Sequence, residues 1–128
     1  MRNLEQMFAA VDRKDANGFV AHLSENVVFQ FGNQPELKGR EAVAAGVTDF
    51  FNVIAGLRHA PTGGWDVGDY SIRCFMAIYR RLDGIEVSVP CACFLRHEAT
   101  GLIDDYRIYI DLAPVFANVV AVPATAVA

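Results

Sequence analysis

The sequence predicts an α+β fold in which N-terminal helices close a curved antiparallel sheet over an apolar pocket. Three observations lead there. Apolar residues recur at helical spacing between Leu4 and Ile54, long strand-like segments fill Tyr70 to Ile110, and Asp83-Gly84 stands between two of those segments as a hairpin turn.

The first helix carries the stripe Leu4, Met7, Phe8 and Val11, at spacings of three and four, with Asn3 and Gln6 placed to form a capping box. Asp15 caps a short second helix bearing Phe19, Val20 and Leu23. Val27 to Phe31 is a strand with Val27, Phe29 and Phe31 on one face, and Gly32 to Pro35 is a turn. A third helix runs from about Arg40 to Ala55 on the stripe Val43, Val47, Phe50, Phe51 and Ile54, with Gly56 placed to end it. Leu57 to Val67 is extended, and Pro61 and Gly63-Gly64 predict a bulge or bend within it.

Three long strands follow: Tyr70 to Leu82, Ile85 to His97, and Leu102 to Ile110. A two-residue Asp83-Gly84 turn sets Leu82 opposite Ile85. Tyr79 then faces Ser88, Ala77 faces Pro90, Phe75 faces Ala92 and Arg73 faces Phe94. On the other side Ile78 meets Val89, Met76 meets Cys91, Cys74 meets Cys93 and Ile72 meets Leu95. Both faces are mostly apolar, so both require cover. The helices supply one cover, and a second copy of the chain is the economical choice for the other.

Bulk properties bound the function. The chain of 128 residues is 53% hydrophobic and 20% charged, enough apolar material for a core of one domain. Its net charge of −4, without a basic cluster, argues against nucleic acid as a partner. The uncharged stretch from Leu112 to Ala128 is broken by Pro114 and Pro123, which argues against a membrane span. Its Leu112, Val115 and Phe116 are expected to pack on the domain or its partner. Charges from Arg2 to Asp15 interrupt any signal-peptide core, and three cysteines lack framework spacing; both point to a cytoplasmic location. No glycine-rich phosphate loop and no His/Glu metal spacing occur, so no cofactor is expected.

The order of elements resembles the nuclear transport factor 2-like superfamily. The closing strand, Gly101-Leu-Ile-Asp-Asp-Tyr-Arg-Ile-Tyr-Ile-Asp111, resembles that of SnoaL-like proteins, a group that includes polyketide cyclases and limonene-epoxide hydrolase. The resemblance covers about residues 3–117, implying a SnoaL-like domain over 1–117 and an apolar tail over 118–128. It implies a cone whose helices shut a pocket, and dimerisation through the outer sheet face.

Residue by residue, the resemblance implies the loss of known chemistry. Where epoxide hydrolases of the family hold a water with polar groups, this chain carries Phe29, Phe31, Phe75, Ala77 and Ile108. Ketosteroid isomerase positions fall on Phe31, about Met7, and Ala92, and the cyclase aspartate on Ile108. The expected pocket is therefore lined by Phe29, Phe31, Phe75, Ala77, Ser88, Ala92 and Ile108, without a buried carboxylate.

The residues left for chemistry are few. His59 follows the third helix at a position where SnoaL-like relatives often carry histidine, the residue type that exchanges protons near neutral pH. The bland reading is a structural cap at Pro61. Tyr79 and Tyr106 point inward as hydroxyl donors, or simply pack. Either tyrosine is the expected partner of His59. Arg73 is expected as a solvated strand end, or a greeter of anions at the mouth. Cys74, Cys91 and Cys93 share one face as small hydrophobes. Trp65 packs on the outer sheet or walls the pocket. Arg107, Tyr109 and Asp111 have outward parity, and His22 and His97 are expected at the surface.

Two functions stand. One is a binding module for a small apolar molecule, polyketide-, terpenoid- or steroid-like, without the family's carboxylates. The other is an isomerase, cyclase or hydrolase using His59 as acid–base with Tyr79 and Tyr106.

Overall fold

Apolar faces at two different periods, helical and pleated, meet in the core of the chain, whose computed structural model describes residues 1–117. The elements are α1 (Glu5–Asp12), α2 (Ala16–Val20), β1 (Leu23–Phe31), β2 (Leu37–Lys38), α3 (Arg40–Asn52), β3 (Ile54–Val67), β4 (Tyr70–Arg81), β5 (Glu86–His97), β6 (Ile103–Ile110) and α4 (Ala113–Phe116). The strands form one sheet in the order β2-β1-β6-β5-β4-β3. It is antiparallel except for β1 beside β6, which run parallel with Phe29 opposite Tyr106 and Phe31 opposite Ile108. The stripes read from the sequence fill the core: Met7 and Phe8 from α1, Val43 and Val47 from α3, and Phe29 and Tyr106 from the sheet.

Local signals behave unevenly. Asp15 caps α2, its carboxylate accepting from Gly18 N at 2.9 Å. The capping box at α1 does not form; Asn3 Oδ1 accepts from Glu5 N instead. The third helix stops at Asn52, short of Ala55, because Ile54 already pairs with Arg81 of β4. Gly56 sits at a bulge in that pairing, and a second bulge lies between Pro61 and Gly63. The strand-pairing energy recovered over this long antiparallel edge outweighs three more helical residues.

The hairpin between β4 and β5 departs from the expected register by one residue. The loop is Leu82-Asp83-Gly84, not Asp83-Gly84. Gly84 N donates to Arg81 O, and Arg81 N to Ile85 O at 2.8 Å. Gly84, at φ +88°, takes the left-handed conformation that closes a three-residue turn. Tyr79 therefore faces Val87, Ala77 faces Val89, Phe75 faces Cys91 and Arg73 faces Cys93. Because side chains alternate, the one-residue slip turns all of β5 over. Ser88 and Ala92, expected in the pocket, lie on the convex face. Val89, Cys91, Cys93 and Leu95 turn inward, and of the three cysteines only Cys74 stays outside.

The convex face is apolar: Ile72, Met76 and Ile78 lie on it as expected, while Val89, Cys91 and Leu95 have left it for the core. Trp65 and Ile72 pair across β3 and β4, Ile72 pairs with Phe94, and the Phe94 and Tyr109 rings meet edge-on at 5.4 Å. Trp65 is 58% exposed and Tyr109 61%. Arg107 on this face joins Asp105 and Glu36. At the far end of the cone Arg73 is buried, neither solvated nor at a mouth: it bonds Asp66 at 3.0 Å and the backbone oxygens of Arg2 and Trp65. His97 is likewise buried, bonded to Ser71 Oγ at 2.9 Å.

Candidate functional site

Aromatic side chains from five elements leave space among them. Phe19 of α2, Phe29 and Phe31 of β1, Phe50 of α3, Tyr79 of β4 and Tyr106 of β6 surround a cavity of about 430 Å³. Phe31 meets Phe50 edge-on at 4.9 Å, Phe50 meets Tyr79 at 5.8 Å, and Phe29 meets Tyr106 at 5.4 Å. Leu37, Leu112 and Phe116 lie along its rim. Such a space, mostly apolar with few polar groups, is typical of small-molecule sites.

Several expected lining residues are placed differently. Phe29, Phe31 and Ile108 line the cavity. Phe75 and Ala77 face inward but do not line it: the Phe8 ring of α1 covers Phe75 at 4.7 Å, and Ala77 is buried opposite His59. Phe19, Phe50, Leu57 and Cys91 line it without having been expected. Phe50 was legible in the apolar stripe of its helix, whereas Cys91 depended on the hairpin register.

The polar end of the cavity is His59. The β3–β4 register sets His59 opposite Ala77 and Leu57 opposite Tyr79, so His59 shares the concave face with Tyr79. Its partner is Asp12, not a tyrosine: Nδ1 lies 2.6 Å from Asp12 Oδ1, and the His59 backbone N–H donates to Asp12 Oδ2 at 3.3 Å. The reason is tertiary. Helix α1 crosses the edge of β3, and its last residue reaches back to the imidazole. Phe8 and Phe75 flank the ring at 5.4 and 4.9 Å, leaving the His59 side chain 10% exposed. With Nδ1–H donating to the carboxylate, the tautomer and ring orientation are held and Nε2 is the free position, as a base backed by a carboxylate requires. No carboxylate lines the cavity itself among the described residues; Asp12 stands behind the histidine.

Tyr79 and Tyr106 supply hydroxyls. Burial, first, and then the nearby Cys91 push the Tyr79 phenol well above its ordinary value, and burial does the same to Tyr106. Both therefore stay protonated and able to donate. Cys91 and Cys93, side by side on β5, have sulfurs 3.9 Å apart. Among the described residues no group of three His, Cys, Asp or Glu side chains is arranged to hold a metal, and no helix is long and apolar enough to cross a membrane.

Comparison with known proteins places these features in a family. The sequence profile of the SnoaL-like domain matches residues 4–106. No curated protein matches the chain. Solved structures do. A hypothetical protein from Catenulispora acidiphila, with a ketosteroid isomerase-like fold and in complex with trimethylamine, is 17% identical over 89% of this chain and 88% of its own, with a TM-score of 0.80. An NTF2-like protein of unknown function from Burkholderia pseudomallei is 18% identical over 92% and 95%, TM-score 0.81. An LEH-like epoxide hydrolase from M. tuberculosis is 15% identical over 88% and 83%, TM-score 0.73. At these identities the likeness is one of fold, the cone of the NTF2-like proteins.

Proposed function

The chain belongs to the SnoaL-like domain family, and from that premise we propose that it is an acid–base enzyme acting on a small, mostly apolar carbonyl compound held in the aromatic cavity. The observation that carries this reading is the 2.6 Å contact of His59 Nδ1 with Asp12, beside a cavity that His59 itself lines. A polyketide-, terpenoid- or steroid-like molecule suits walls made of Phe19, Phe29, Phe31, Phe50 and Ile108.

The chemistry follows from the donors present. Asp12 holds the imidazole so that Nε2 takes a proton from the carbon next to a carbonyl. Charge then develops on the carbonyl oxygen, and the protonated Tyr79 hydroxyl donates to it. Returning the proton at another carbon completes an isomerisation; attack of the carbanion on a second carbonyl closes a ring. Water activation is the poorer fit, because no carboxylate lines the cavity to position a water opposite His59. A second copy of the chain on the convex face belongs to the same reading.

The test is hydrogen–deuterium exchange at the α-carbon of a bicyclic ketone probe, 2-tetralone, in deuterated water at neutral pH. The wild-type chain is expected to accelerate exchange. His59→Gln should lower that acceleration by about 10²–10⁴-fold, the usual worth of a positioned acid–base group. Asp12→Asn should lower it by roughly 10–100-fold, as loss of an orienting partner does. A wild-type chain that binds the probe without accelerating exchange would leave a binding module without chemistry, and acceleration unchanged in His59→Gln would remove His59 as the base.

A further inference from the structure

The hairpin register that turned β5 over also brings two thiols to the concave face. Cys91 lines the cavity, while Cys93 beside it is 1% exposed and sealed in the core. Their sulfurs are 3.9 Å apart, within reach of a thiol hydrogen bond. The proton-transfer scheme uses neither.

We propose that Cys91 is a covalent capture site for α,β-unsaturated carbonyl compounds with an apolar body that enter the cavity. Three features of the geometry support it. Cys91 lines the cavity, where the aromatic walls concentrate an apolar ligand. The sealed Cys93 lies 3.9 Å from Cys91, sulfur to sulfur, so that its S–H can donate to a Cys91 thiolate, the nucleophilic form. Tyr79 lines the same cavity, and its hydroxyl is the donor available to the carbonyl oxygen. In accord with this, the bond from Cys93 holds the Cys91 thiol below its ordinary value against the opposing effect of burial, and the same contact, with burial, pushes Cys93 well above.

The step balances without a further reagent. The Cys91 sulfur bonds to the β-carbon, and the C=C π pair moves toward the carbonyl to give an enolate whose oxygen accepts from Tyr79. The proton given up by the thiol returns to the α-carbon. The product is a saturated carbonyl thioether whose mass is that of the chain plus the whole ligand. The proposal shares the cavity with the acid–base reading but does not rest on His59.

The experiment is timed labelling of the wild-type chain with benzylideneacetone, an aryl enone, read by intact-mass and peptide-fragmentation mass spectrometry. Only three cysteines compete, and Cys74 on the convex face is the internal reference. The expected result is one adduct of full reagent mass at Cys91, formed at least roughly tenfold faster than at Cys74, since the thiolate fraction sets the rate. Cys93→Ala should slow labelling of Cys91 by about tenfold, and ketone exchange is read separately, so that failure of this proposal and failure of the acid–base reading show apart. An adduct at Cys74 alone, no adduct, or a Cys93→Ala variant labelled as fast as wild type would overturn the proposal. The wild-type mapping is decisive even if a variant does not fold.

Discussion

An acidic residue at the last position of a helix faces the negative end of the helix dipole, and Asp12 occupies that position in α1. Such a placement is locally unfavourable and is offset by the contact with His59, a small conflict of the kind that marks functional positions. Tyr79 adds the second polar group. Tyr79→Phe keeps the ring packed against Phe50 and removes the donor, so it should slow ketone exchange by about 10²-fold with little change in the unfolding temperature. Asp66 acts on stability instead. The Arg2 backbone N–H, above all, and then Arg73 hold its carboxyl down to about 2, against the raising effect of burial, from an ordinary 3.8. Its folded value lies below its unfolded one, so its stabilisation is complete above the ordinary range and is lost as pH falls from about 4 toward 2. Thermal unfolding between pH 5 and 2 should therefore show a falling midpoint, and Asp66→Asn should flatten that fall. An unchanged slope would remove the Arg2–Asp66–Arg73 cluster as its cause.

At the scale of elements, the turn joining β4 and β5 decides which side chains reach the cavity. Gly84 at φ +88° is held in a conformation that costs other residues, with open space around it. Gly84→Ala should destabilise by about 1 kcal/mol or more through backbone strain alone, measured by denaturant midpoint at unchanged slope. The α1 helix is the second deciding element. It lays Phe8 on Phe75 and brings Asp12 to His59, so packing and chemistry share one contact surface. Phe75→Ala should cost about 3–5 kcal/mol and also loosen the His59 ring, which rests against Phe75 at 4.9 Å. Reduced ketone exchange in whatever fraction remains folded would follow; full activity per folded molecule would show that the flanking ring is dispensable.

At the scale of the whole molecule, the sheet has one face under helices and one without cover. Trp65, Ile72, Phe94 and Tyr109 run across the bare face, with Met76 and Ile78 half-buried beside them. A continuous apolar surface of this kind is unusual on a monomer. The chain is expected to sediment as a dimer at micromolar concentration, and Met76→Glu, which places a charge in the middle of the face, should shift it toward monomer while leaving the cavity chemistry in place. A wild-type chain that sediments only as monomer would end the dimer reading. The expected packing of Leu112, Val115 and Phe116 is seen, Val115 being buried, Leu112 lining the cavity and Phe116, though half exposed at the rim, meeting Phe50 edge-on at 6.2 Å; the stretch from 118 to 128 lies outside the described residues.

Local order was determined by the sequence on its own. The stripe Met7 and Phe8, the Asp15 cap, the alternation of Val27, Phe29 and Phe31, and the closing strand with Tyr106 and Ile108 inward all rest on neighbours a few residues apart, and the family follows from their order. Only the tertiary structure decided the rest. The face of β5, and with it the fate of Ser88, Ala92, Cys91 and Cys93, turned on whether a loop holds two residues or three, a small difference in turn energy that inverts every side chain along the strand. The pairing of Asp12 with His59 joins residues 47 apart in sequence. No periodicity encodes that contact; it exists because a helix packs across a sheet edge and delivers its last carboxylate to a ring that the strand register had already turned toward the cavity.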